Sequence, residues 1–253
     1  MTIEIDLSGK VAVITGSGGG IGAAIAETYT KAGAQVVVAD LDTDAAARTV
    51  KRLNGNGGKA ESYHVDVTDS SSVDRLFDHC IEAHGGVDIF VASAGLSDKF
   101  DIFQLELEEW RRVLDINLTG SFLCSKRAVM SMRERGRGGR IILIGSPTAF
   151  RGALRGHVAY AASKGGSVAF AKTLARTVAK DKVTVNVITP GQTDTELLWE
   201  TNPREAIDKI METVPLGLAQ PSDIALGALY LASDGASHVT GISLDIDGGG
   251  VMR

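Results

Sequence analysis

A tyrosine and a lysine form the pair in this sequence best suited to proton transfer. Tyr160 and Lys164 lie in Tyr-Ala-Ala-Ser-Lys, near the start of a predicted helix over 159–180, so both side chains occupy one helical face, one turn apart. A tyrosine hydroxyl, with a pKa near 10, is a poor base at neutral pH, but a nearby ammonium favours the phenolate and lowers that pKa. The pair could therefore transfer a proton at about pH 7–8. The same spacing also fits an amphipathic helix with a core tyrosine and a solvated lysine.

Two further polar residues are candidates for the same site. Ser146 follows a predicted strand over 141–144 and so lies at the carboxyl edge of a parallel sheet, where open α/β folds bind ligands. Asn117 precedes an apolar helix. Ser146 could instead be a hydrolase nucleophile, but the Gly-x-Ser-x-Gly elbow is absent around it. We expect Asn117, Ser146 and Tyr160 to converge on one cleft.

A glycine-rich turn follows the first predicted strand, over 11–15. It reads Thr15-Gly16-Ser17-Gly18-Gly19-Gly20-Ile21-Gly22. Glycines here let the backbone approach a pyrophosphate, and the following helix directs its N-terminus at the negative charge. A Walker loop would need Lys and then Ser or Thr where Ile21-Gly22 stand, so a P-loop NTPase is excluded. A tight turn without a ligand would show the same pattern.

Asp40 strengthens the interpretation as a dinucleotide site. It ends the second predicted strand, over 35–40, at 20 residues after Gly20. A carboxylate there can accept hydrogen bonds from both hydroxyls of an adenosine ribose, and it would repel a 2′-phosphate. No Arg or Lys stands at residues 17–19, 41 or 42 to offset that repulsion. The sequence therefore favours NAD over NADP, although Asp40 could also serve only as a strand-end turn or a helix cap.

The elements that must position these residues alternate regularly along the chain. Further strands are predicted over 60–66, 87–92, 183–188 and 242–246, and helices over 21–32, 44–54, 70–84, 106–135 (two helices), 195–212 and 221–233. Such alternation implies right-handed crossovers in an α/β fold. The prediction is one Rossmann-type doubly wound parallel sheet of about seven strands, with helices on both faces, forming a single domain over 1–253.

Composition excludes several other classes of protein. The net charge of the 253 residues is −5, which argues against a nucleic-acid interface because such interfaces need clustered positive charge. No apolar run approaches the ~18 residues of a membrane helix, and the polar N-terminal segment predicts no signal peptide. Two cysteines fit a reducing compartment, so we expect a cytoplasmic protein. His79 and His84 lie five apart on a polar helix, better suited to solvated or core positions than to ligation, and no metal is expected.

Over residues 6–250 the sequence resembles the short-chain dehydrogenase/reductase family. The matching motifs are Thr15-Gly-x-x-x-Gly-x-Gly22, Asp66-Val67, the Asn117/Ser146/Tyr160/Lys164 set, Pro190-Gly191-x-x-x-Thr195 and Asp247-Gly248-Gly249. The resemblance implies a catalytic tetrad of Asn117, Ser146, Tyr160 and Lys164. It also implies cofactor-binding residues Gly16, Ser17, Gly20, Ile21, Gly22, Asp40, Leu41, Asp66, Val67, Ala94, Gly95, Tyr160, Lys164, Pro190, Gly191, Thr193 and Thr195.

The resemblance implies a mechanism of alcohol oxidation. Ser146 would hydrogen-bond the substrate hydroxyl, and Tyr160 would take its proton. Hydride would pass to the nicotinamide of the cofactor, whose chemistry this is. Lys164 would also hold the nicotinamide ribose, and Asn117 would fix a water that relays the proton to solvent.

Two departures from the family pattern concern the cleft. Ala92-Ser93-Ala94-Gly95 replaces the usual Asn-Asn-Ala-Gly, so we expect altered local hydrogen bonding without loss of chemistry. Ser146 lies one position farther from Tyr160 than in most of the family. We assign the extra residue to the loop 149–158, where it could reshape the substrate pocket.

Candidate substrate residues lie in that loop and in a predicted lid. Arg151, Arg155 and His157 could form a cationic rim that selects an anionic substrate, although a solvated loop or a structural Arg151 fits as well. Residues 194–215 resemble the family's substrate lid, with Trp199 as a wall of the pocket. An exposed helix packing its own apolar face is the alternative.

The function predicted from all of this is NAD-dependent hydride transfer to or from a small secondary alcohol, such as a sugar, polyol, cyclic alcohol or hydroxy acid. A 3-oxoacyl-thioester reductase is the enzymatic alternative; Asp40 counts against it, since those reductases mostly use NADPH. A non-catalytic NAD(H) sensor is the alternative from another class. The resemblance also implies a homotetramer through the helices at 106–135 and 159–180, where Phe122, Val129, Val168 and Leu174 face either a partner or the protein's own core.

Overall fold

The computed structural model describes residues 5–153, 156–212 and 214–252, and one parallel sheet runs through them. Its strands are β1 (Val11–Thr15), β2 (Gln35–Asp40), β3 (Lys59–His64), β4 (Ile89–Ala92), β5 (Gly139–Ile144), β6 (Val183–Pro190) and β7 (Ser243–Ile246). Their order across the sheet is β3-β2-β1-β4-β5-β6-β7, and neighbouring strands pair in parallel. The predicted seven-stranded, doubly wound α/β fold is therefore confirmed.

Helices connect these strands and cover both faces of the sheet. They are α1 (Gly20–Lys31), α2 (Thr43–Gly55), α3 (Ser70–His84), α4 (Leu107–Leu114), α5 (Gly120–Arg135), α6 (Thr148–Arg151), α7 (Val158–Val178), α8 (Glu196–Thr201), α9 (Arg204–Met211) and α10 (Pro221–Ala232). Most bounds agree with the sequence predictions to within two residues. Local signals explain this agreement: the Asp42 side chain caps α2 by accepting from two backbone N–H groups, and Gly85 ends α3 in the left-handed conformation.

Three elements differ from the predictions. Residues 107–135 form one continuous helical run, because a π-helical turn, Asp115–Thr119, joins α4 to α5. The short helix α6 was not predicted; it occupies the start of the loop assigned to 149–158. The third strand ends at His64, two residues earlier than expected. Short and irregular elements carry too few residues for a periodic signal.

Two apolar cores lie on opposite faces of the sheet. One includes Val13, Phe90 and Leu143 with Leu76 of α3 and Val168 of α7. The other is built from alternate strand positions and from α1, α2 and α10; its members include Ile14, Val38, Ile25, Leu53 and Ile224. Because parallel strands are buried on both sides, the continuous apolar runs read in the sequence are the physical requirement of this fold.

The sheet order reverses at β1, which pairs with β2 on one side and β4 on the other. In an open α/β sheet this reversal opens a crevice outside the carboxyl ends of the strands. The turns that follow β1, β4, β5 and β6 therefore meet at one edge. No helix in the described ranges combines the length and the apolar character needed to cross a membrane.

Candidate active site

A cleft of about 1730 Å³ opens at this carboxyl edge. Most of the residues predicted for the site line it, namely Gly16, Gly20, Ile21, Gly22, Asp40, Leu41, Asp66, Val67, Ala94, Gly95, Ser146, Arg151, His157, Tyr160, Lys164, Pro190, Gly191, Thr193 and Thr195. Ser17, Asn117 and Trp199 are not among its lining residues. Arg155 falls outside the described residues.

The glycine-rich turn is held against the neighbouring strand by close backbone packing. Gly16 has a φ of +67°, and a Cβ there would lie 2.5 Å from the Cα of Ala94. A Cβ on Gly22 would collide with the carbonyl oxygen of Gly16. No side chain caps the N-terminus of α1, so its N–H groups face the cleft without a side-chain acceptor. Such a helix start suits an anion, and the turn fits the pyrophosphate of a dinucleotide.

Ser17, predicted as a cofactor-binding residue, directs its side chain into the core. It is fully buried, and its hydroxyl donates a hydrogen bond to the carbonyl oxygen of Ile14 at 2.6 Å. That bond closes the turn behind β1. Ser17 therefore shapes the glycine-rich turn from the core side.

Asp40 lies where the sequence placed it, at the end of β2. Its Oδ2 accepts from the backbone N–H of Gly18 at 2.7 Å, and its Oδ1 accepts from that of Asp42 at 3.0 Å. Arg48 of α2 lines the same end of the cleft, which the sequence analysis did not anticipate. No sequence signal marked Arg48, because Ala45, one helical turn earlier, is likewise known to line the cleft only from the structure.

Asp66 follows β3 and is organised by its own turn. Its Oδ1 accepts from the backbone N–H of Thr68 at 2.9 Å and from the Thr68 hydroxyl at 2.7 Å. The next residue, Val67, packs closely on Gly120. A Cβ added to Gly120 would lie 2.7 Å from Cγ2 of Val67. This contact sets the end of the cleft against the start of α5.

Lys164 is buried at the base of the cleft, with 7% of its surface exposed. Its Nζ donates to the carbonyl oxygen of Ile144 at 2.7 Å and lies 5.5 Å from the centre of the Tyr160 ring. Burial lowers the pKa of Lys164 to about 8, because the charged form loses solvation. The ammonium is thus fixed beside Tyr160, one turn along α7, as the spacing predicted.

The pKa of Tyr160 shifts in the direction opposite to that expected. Burial raises it, and the Ser146 hydroxyl, as a hydrogen-bond partner, offsets part of the rise. The expectation that Lys164 would lower this pKa is wrong for the protein as described here, since loss of solvation disfavours the phenolate and Lys164 donates to Ile144. Tyr160 therefore holds its proton in this state.

Ser146 is oriented by a residue that the sequence analysis missed. Its Oγ accepts from the backbone N–H of Thr148 at 3.2 Å and from the Thr148 hydroxyl at 3.0 Å. Both bonds arise because the chain turns into α6 directly after Pro147. Because its oxygen already accepts these two bonds, Ser146 directs its own proton into the cleft, where the Tyr160 hydroxyl is its partner.

Asn117 lies in the π-helical turn, behind the cleft. Its amide nitrogen donates to the carbonyl oxygen of Leu96 at 2.9 Å and to the Ser163 hydroxyl at 3.0 Å, and its Oδ1 accepts from the N–H of Leu96 at 2.9 Å. Gly95 packs between this amide and Lys164; a Cβ on Gly95 would lie 3.2 Å from Asn117 Oδ1 and 3.6 Å from Lys164 Nζ. Asn117 therefore ties the turn after β4 to α7.

Asp98 is a third residue that sequence reasoning missed, after Arg48 and Thr148. It is 1% exposed, and its carboxylate accepts from the backbone N–H of Tyr160 at 2.8 Å and from that of Phe100 at 3.3 Å. The adjacent Ser97 hydroxyl hydrogen-bonds with Nδ1 of His157 at 2.9 Å. His157 precedes α7 with a φ of 55°, an uncommon conformation for a non-glycine residue. The loop after β4 thus fixes the start of the helix that carries Tyr160, and no spacing rule in the sequence signals this.

The predicted substrate residues are only partly assembled. Arg151 and His157 line the cleft. The indole N–H of Trp199 donates to Asp194 Oδ1 at 2.7 Å, and Trp199 is not among the residues that line the cleft, so its role as a wall of the substrate pocket stays a prediction. Leu197 and Leu198 of α8 line the cleft.

Comparisons with known proteins agree with this geometry. A family model described as Enoyl-(Acyl carrier protein) reductase matches residues 16–250. D-threitol dehydrogenase of Mycolicibacterium smegmatis is 38% identical over 259 residues, covering 100% of this chain and 98% of that protein. The 3-oxoacyl-[acyl-carrier-protein] reductase FabG of Aquifex aeolicus is 34% identical, covering 98% and 99%. A crystal structure of a short-chain type dehydrogenase/reductase from Mycobacterium marinum superposes with a TM-score of 0.93 at 35% identity, covering 98% of both chains. The chain belongs to the short-chain dehydrogenase/reductase family of oxidoreductases.

Proposed function

We propose that this oxidoreductase transfers hydride between NAD(H) and a small secondary alcohol or ketone, with Tyr160 as the general base and acid. One observation carries the proposal: the Tyr160 and Ser146 side chains interact in the same cleft as the glycine-rich turn, with the Lys164 ammonium buried beside them. This arrangement places a proton-transfer group next to a dinucleotide cradle. A sensor that only binds NAD(H) would have no need of it.

In the oxidation direction, Ser146 donates a hydrogen bond to the substrate oxygen and Tyr160 accepts the hydroxyl proton. When bound, an oxidised nicotinamide supplies the hydride acceptor and a positive charge. The Lys164 ammonium adds a second positive charge, and both charges favour loss of the phenolic proton to solvent, so that Tyr160 is a phenolate before it accepts the proton of the alcohol. Asn117 holds the Leu96 turn and Ser163 in place, and we assign to it the anchoring of a proton-relay water. In reduction, Tyr160 donates the proton instead.

NAD is the cofactor that the adenosine end of the cleft favours. Asp40 presents a carboxylate at the end of β2 and already accepts one backbone N–H of the glycine-rich turn. A 2′-phosphate placed there would meet this negative charge. Arg48 offers a cation at the same end, so the preference for NAD is a balance between the two side chains. We expect the charge of Asp40 to dominate, because Asp40 is in direct contact with the glycine-rich turn.

Two substrate classes are favoured by relatives of this chain. The D-threitol dehydrogenase is named for a polyol, and a small polyol is the class that we propose. The FabG relative is named for a 3-oxoacyl thioester on a carrier protein, which is the alternative. Arg151 and His157 could contact an anionic group on either substrate.

We also propose a homotetramer in the cytoplasm. Phe122 of α5 is 45% exposed and packs edge-to-face on Phe170 of α7 at 6.2 Å, which leaves an aromatic pair available to a second copy. Val129 and Val168, predicted as possible partner contacts, are buried in the protein's own core. Cys80 and Cys124 are buried free thiols whose pKa burial raises to about 12, so both fit a reducing compartment.

The test is a turnover screen with NAD⁺ and NADP⁺ against polyols, sugars, cyclic alcohols, hydroxy acids and 3-hydroxyacyl thioesters. The proposal predicts turnover of a polyol or sugar with NAD⁺, and none in Tyr160→Phe. Turnover confined to the thioesters with NADP⁺ would establish the alternative. No turnover of any substrate in the panel, together with intact NADH binding, would contradict the proposal and favour the non-catalytic NAD(H) sensor.

A further inference from the structure

Three ligating side chains meet at the outer edge of the sheet, away from the cleft. Glu61 lies on the edge strand β3, and His79 and His84 lie on α3. Glu61 Oε1 is 2.9 Å from Nε2 of His79 and 2.7 Å from Nε2 of His84. In the described part of the chain this is the one group of three or more such side chains whose ligand atoms lie within 4.8 Å of one another.

We propose that Glu61, His79 and His84 bind a divalent transition-metal ion of the zinc type, with solvent completing the coordination. Two imidazole nitrogens and one carboxylate oxygen are a ligand set that Zn²⁺ accepts. Bonds of about 2.0–2.2 Å place neighbouring ligand atoms of a tetrahedral site roughly 3.3 Å apart. Both nitrogens already lie near that separation from Oε1, so a small outward shift of the carboxylate would admit the ion.

The geometry of the two rings supports ligation. Their planes are almost perpendicular, at 89°, with centroids 6.1 Å apart, and both direct Nε2 at the same carboxylate oxygen. The Tyr63 ring packs on His79 at 5.0 Å and restrains it. The side chains are 34% exposed for His79, 18% for His84 and 33% for Glu61, so an ion has access from solvent while the ligands remain held.

The sequence alone gives a different expectation for these histidines, which is no metal. Positions five apart diverge by about 140° around a helix, so His79 and His84 do not form a pair by periodicity. Their common partner, Glu61, comes from a strand 18 residues earlier, and only the packing of α3 on β3 brings it between them. Cys80 is buried in the core, and its thiol is not among the three grouped ligand atoms.

A metal here would join the edge strand to the helix that covers it. None of the three ligands lines the cleft, so the expected consequence is stability rather than turnover. An ion that binds only the folded chain shifts unfolding to higher temperature. Without metal, the same residues would form a hydrogen-bonded His–Glu–His group.

The test uses the full chain after treatment with a chelator, titrated with Zn²⁺ by calorimetry and followed by thermal unfolding. We expect one ion per chain and a rise in Tm of about 2–4 °C at saturation, with little response to Mg²⁺, which prefers oxygen ligands. Co²⁺ in place of Zn²⁺ should give the visible absorption of a four-coordinate nitrogen–oxygen site.

Three variants and one matched control locate the site. Glu61→Gln, His79→Gln and His84→Gln should each lower the affinity for Zn²⁺ at least tenfold, whereas His238→Gln, at an exposed histidine elsewhere, should leave it within twofold. Circular dichroism of each metal-free variant confirms that it folds, and a variant that does not fold is replaced by the other two. Absence of stoichiometric binding, or an affinity unchanged in the three variants, would overturn the proposal.

Discussion

The two ends of the cleft are positioned by different kinds of contact. At the cofactor end, backbone packs on backbone: Gly16 against Ala94, and Gly22 against Gly16. At the catalytic end, buried polar side chains form hydrogen bonds with the backbone. Asp98 accepts from the N–H of Tyr160, and Lys164 donates to the carbonyl oxygen of Ile144. The first end is therefore sensitive to added volume, and the second to the loss of a hydrogen-bond partner or a charge.

Because of this difference, mutations at the two ends should separate effects on cofactor affinity from effects on turnover. A steric change in the glycine-rich turn should remove cofactor affinity together with stability, because the turn is part of the core packing. A polar change at the catalytic end should reduce turnover and spare the cofactor, because side-chain partners there orient groups that do not touch the pyrophosphate. Four substitutions test this separation.

Gly22→Ala should have the largest effect. Its Cβ would collide with the Gly16 carbonyl, so we expect roughly 1–3 kcal/mol of destabilisation and a loss of NADH affinity of about 100-fold. Fluorescence titration with NADH and urea unfolding measure the two effects. Gly55→Ala is the matched control, since a Cβ there meets nothing within 4 Å. An NADH affinity of Gly22→Ala equal to that of the wild type would show that a Cβ at residue 22 does not disturb the cofactor end.

Lys164→Met tests the buried charge at the catalytic end. The folded pKa of Lys164, about 8, lies below its ordinary value of 10.5. Below pH 8 both states are protonated and the buried charge opposes folding; between pH 8 and 10.5 the unfolded state binds more protons, so stability rises with pH. The wild type should thus gain up to about 3 kcal/mol relative to Lys164→Met across that range.

The measurement is urea unfolding of both proteins between pH 7 and 10.5, which spans the two pKa values. The methionine variant cancels the titration of every other group, because only position 164 differs. Parallel curves for the two proteins would show that Lys164 is not desolvated as described.

Asp98→Ala tests the anchor at the start of α7. Losing the acceptor for the Tyr160 N–H should lower kcat roughly 10- to 100-fold, since small displacements of a reacting group are costly, while NADH affinity stays within twofold. Asp98→Asn retains an acceptor oxygen and should recover most of kcat. Asp101→Ala is the control, because the Asp101 carboxylate accepts from the backbone N–H groups of Phe103 and Gln104 in the same loop and, within the described residues, has no bond to α7. Equal damage in the alanine and asparagine variants would speak against positioning.

Asp40→Asn should have the smallest effect, on cofactor choice. It keeps an acceptor for the Gly18 N–H but removes the negative charge, so kcat/KM for NADP⁺ relative to NAD⁺ should rise about tenfold. Arg48→Ala added to this variant should reverse the gain if Arg48 is the cation that meets a 2′-phosphate. An unchanged ratio in Asp40→Asn would remove the physical basis for NAD preference.

The fold and the cofactor end could be predicted from the sequence to a large extent. Apolar runs such as 11–15 must be buried strands, and the glycines of residues 16–22 report a close backbone approach directly. Asp40 follows from its place at a strand end. Each signal is local, so a single sequence carries it.

The catalytic end was only partly predictable, because its supports come from distant segments. Asp98 lies 62 residues before the N–H that it accepts, and nothing about its neighbours marks it. The predicted direction of the shift in the Tyr160 pKa was wrong. Spacing shows that Lys164 is near Tyr160, but it does not show how deeply the two side chains are buried. The hydrogen bond from the Trp199 indole to Asp194 could not be predicted for a similar reason, because spacing along a helix does not show which partner a side chain contacts.

We infer that Tyr160 transfers the proton and that NADH binding at the other end of the cleft does not depend on the Tyr160 hydroxyl. The most direct measurement is turnover of Tyr160→Phe beside its affinity for NADH, using the substrate that the wild type turns over. We predict a loss of turnover of roughly 10²–10⁴-fold with NADH affinity within twofold of wild type. Unchanged turnover in Tyr160→Phe would contradict the account.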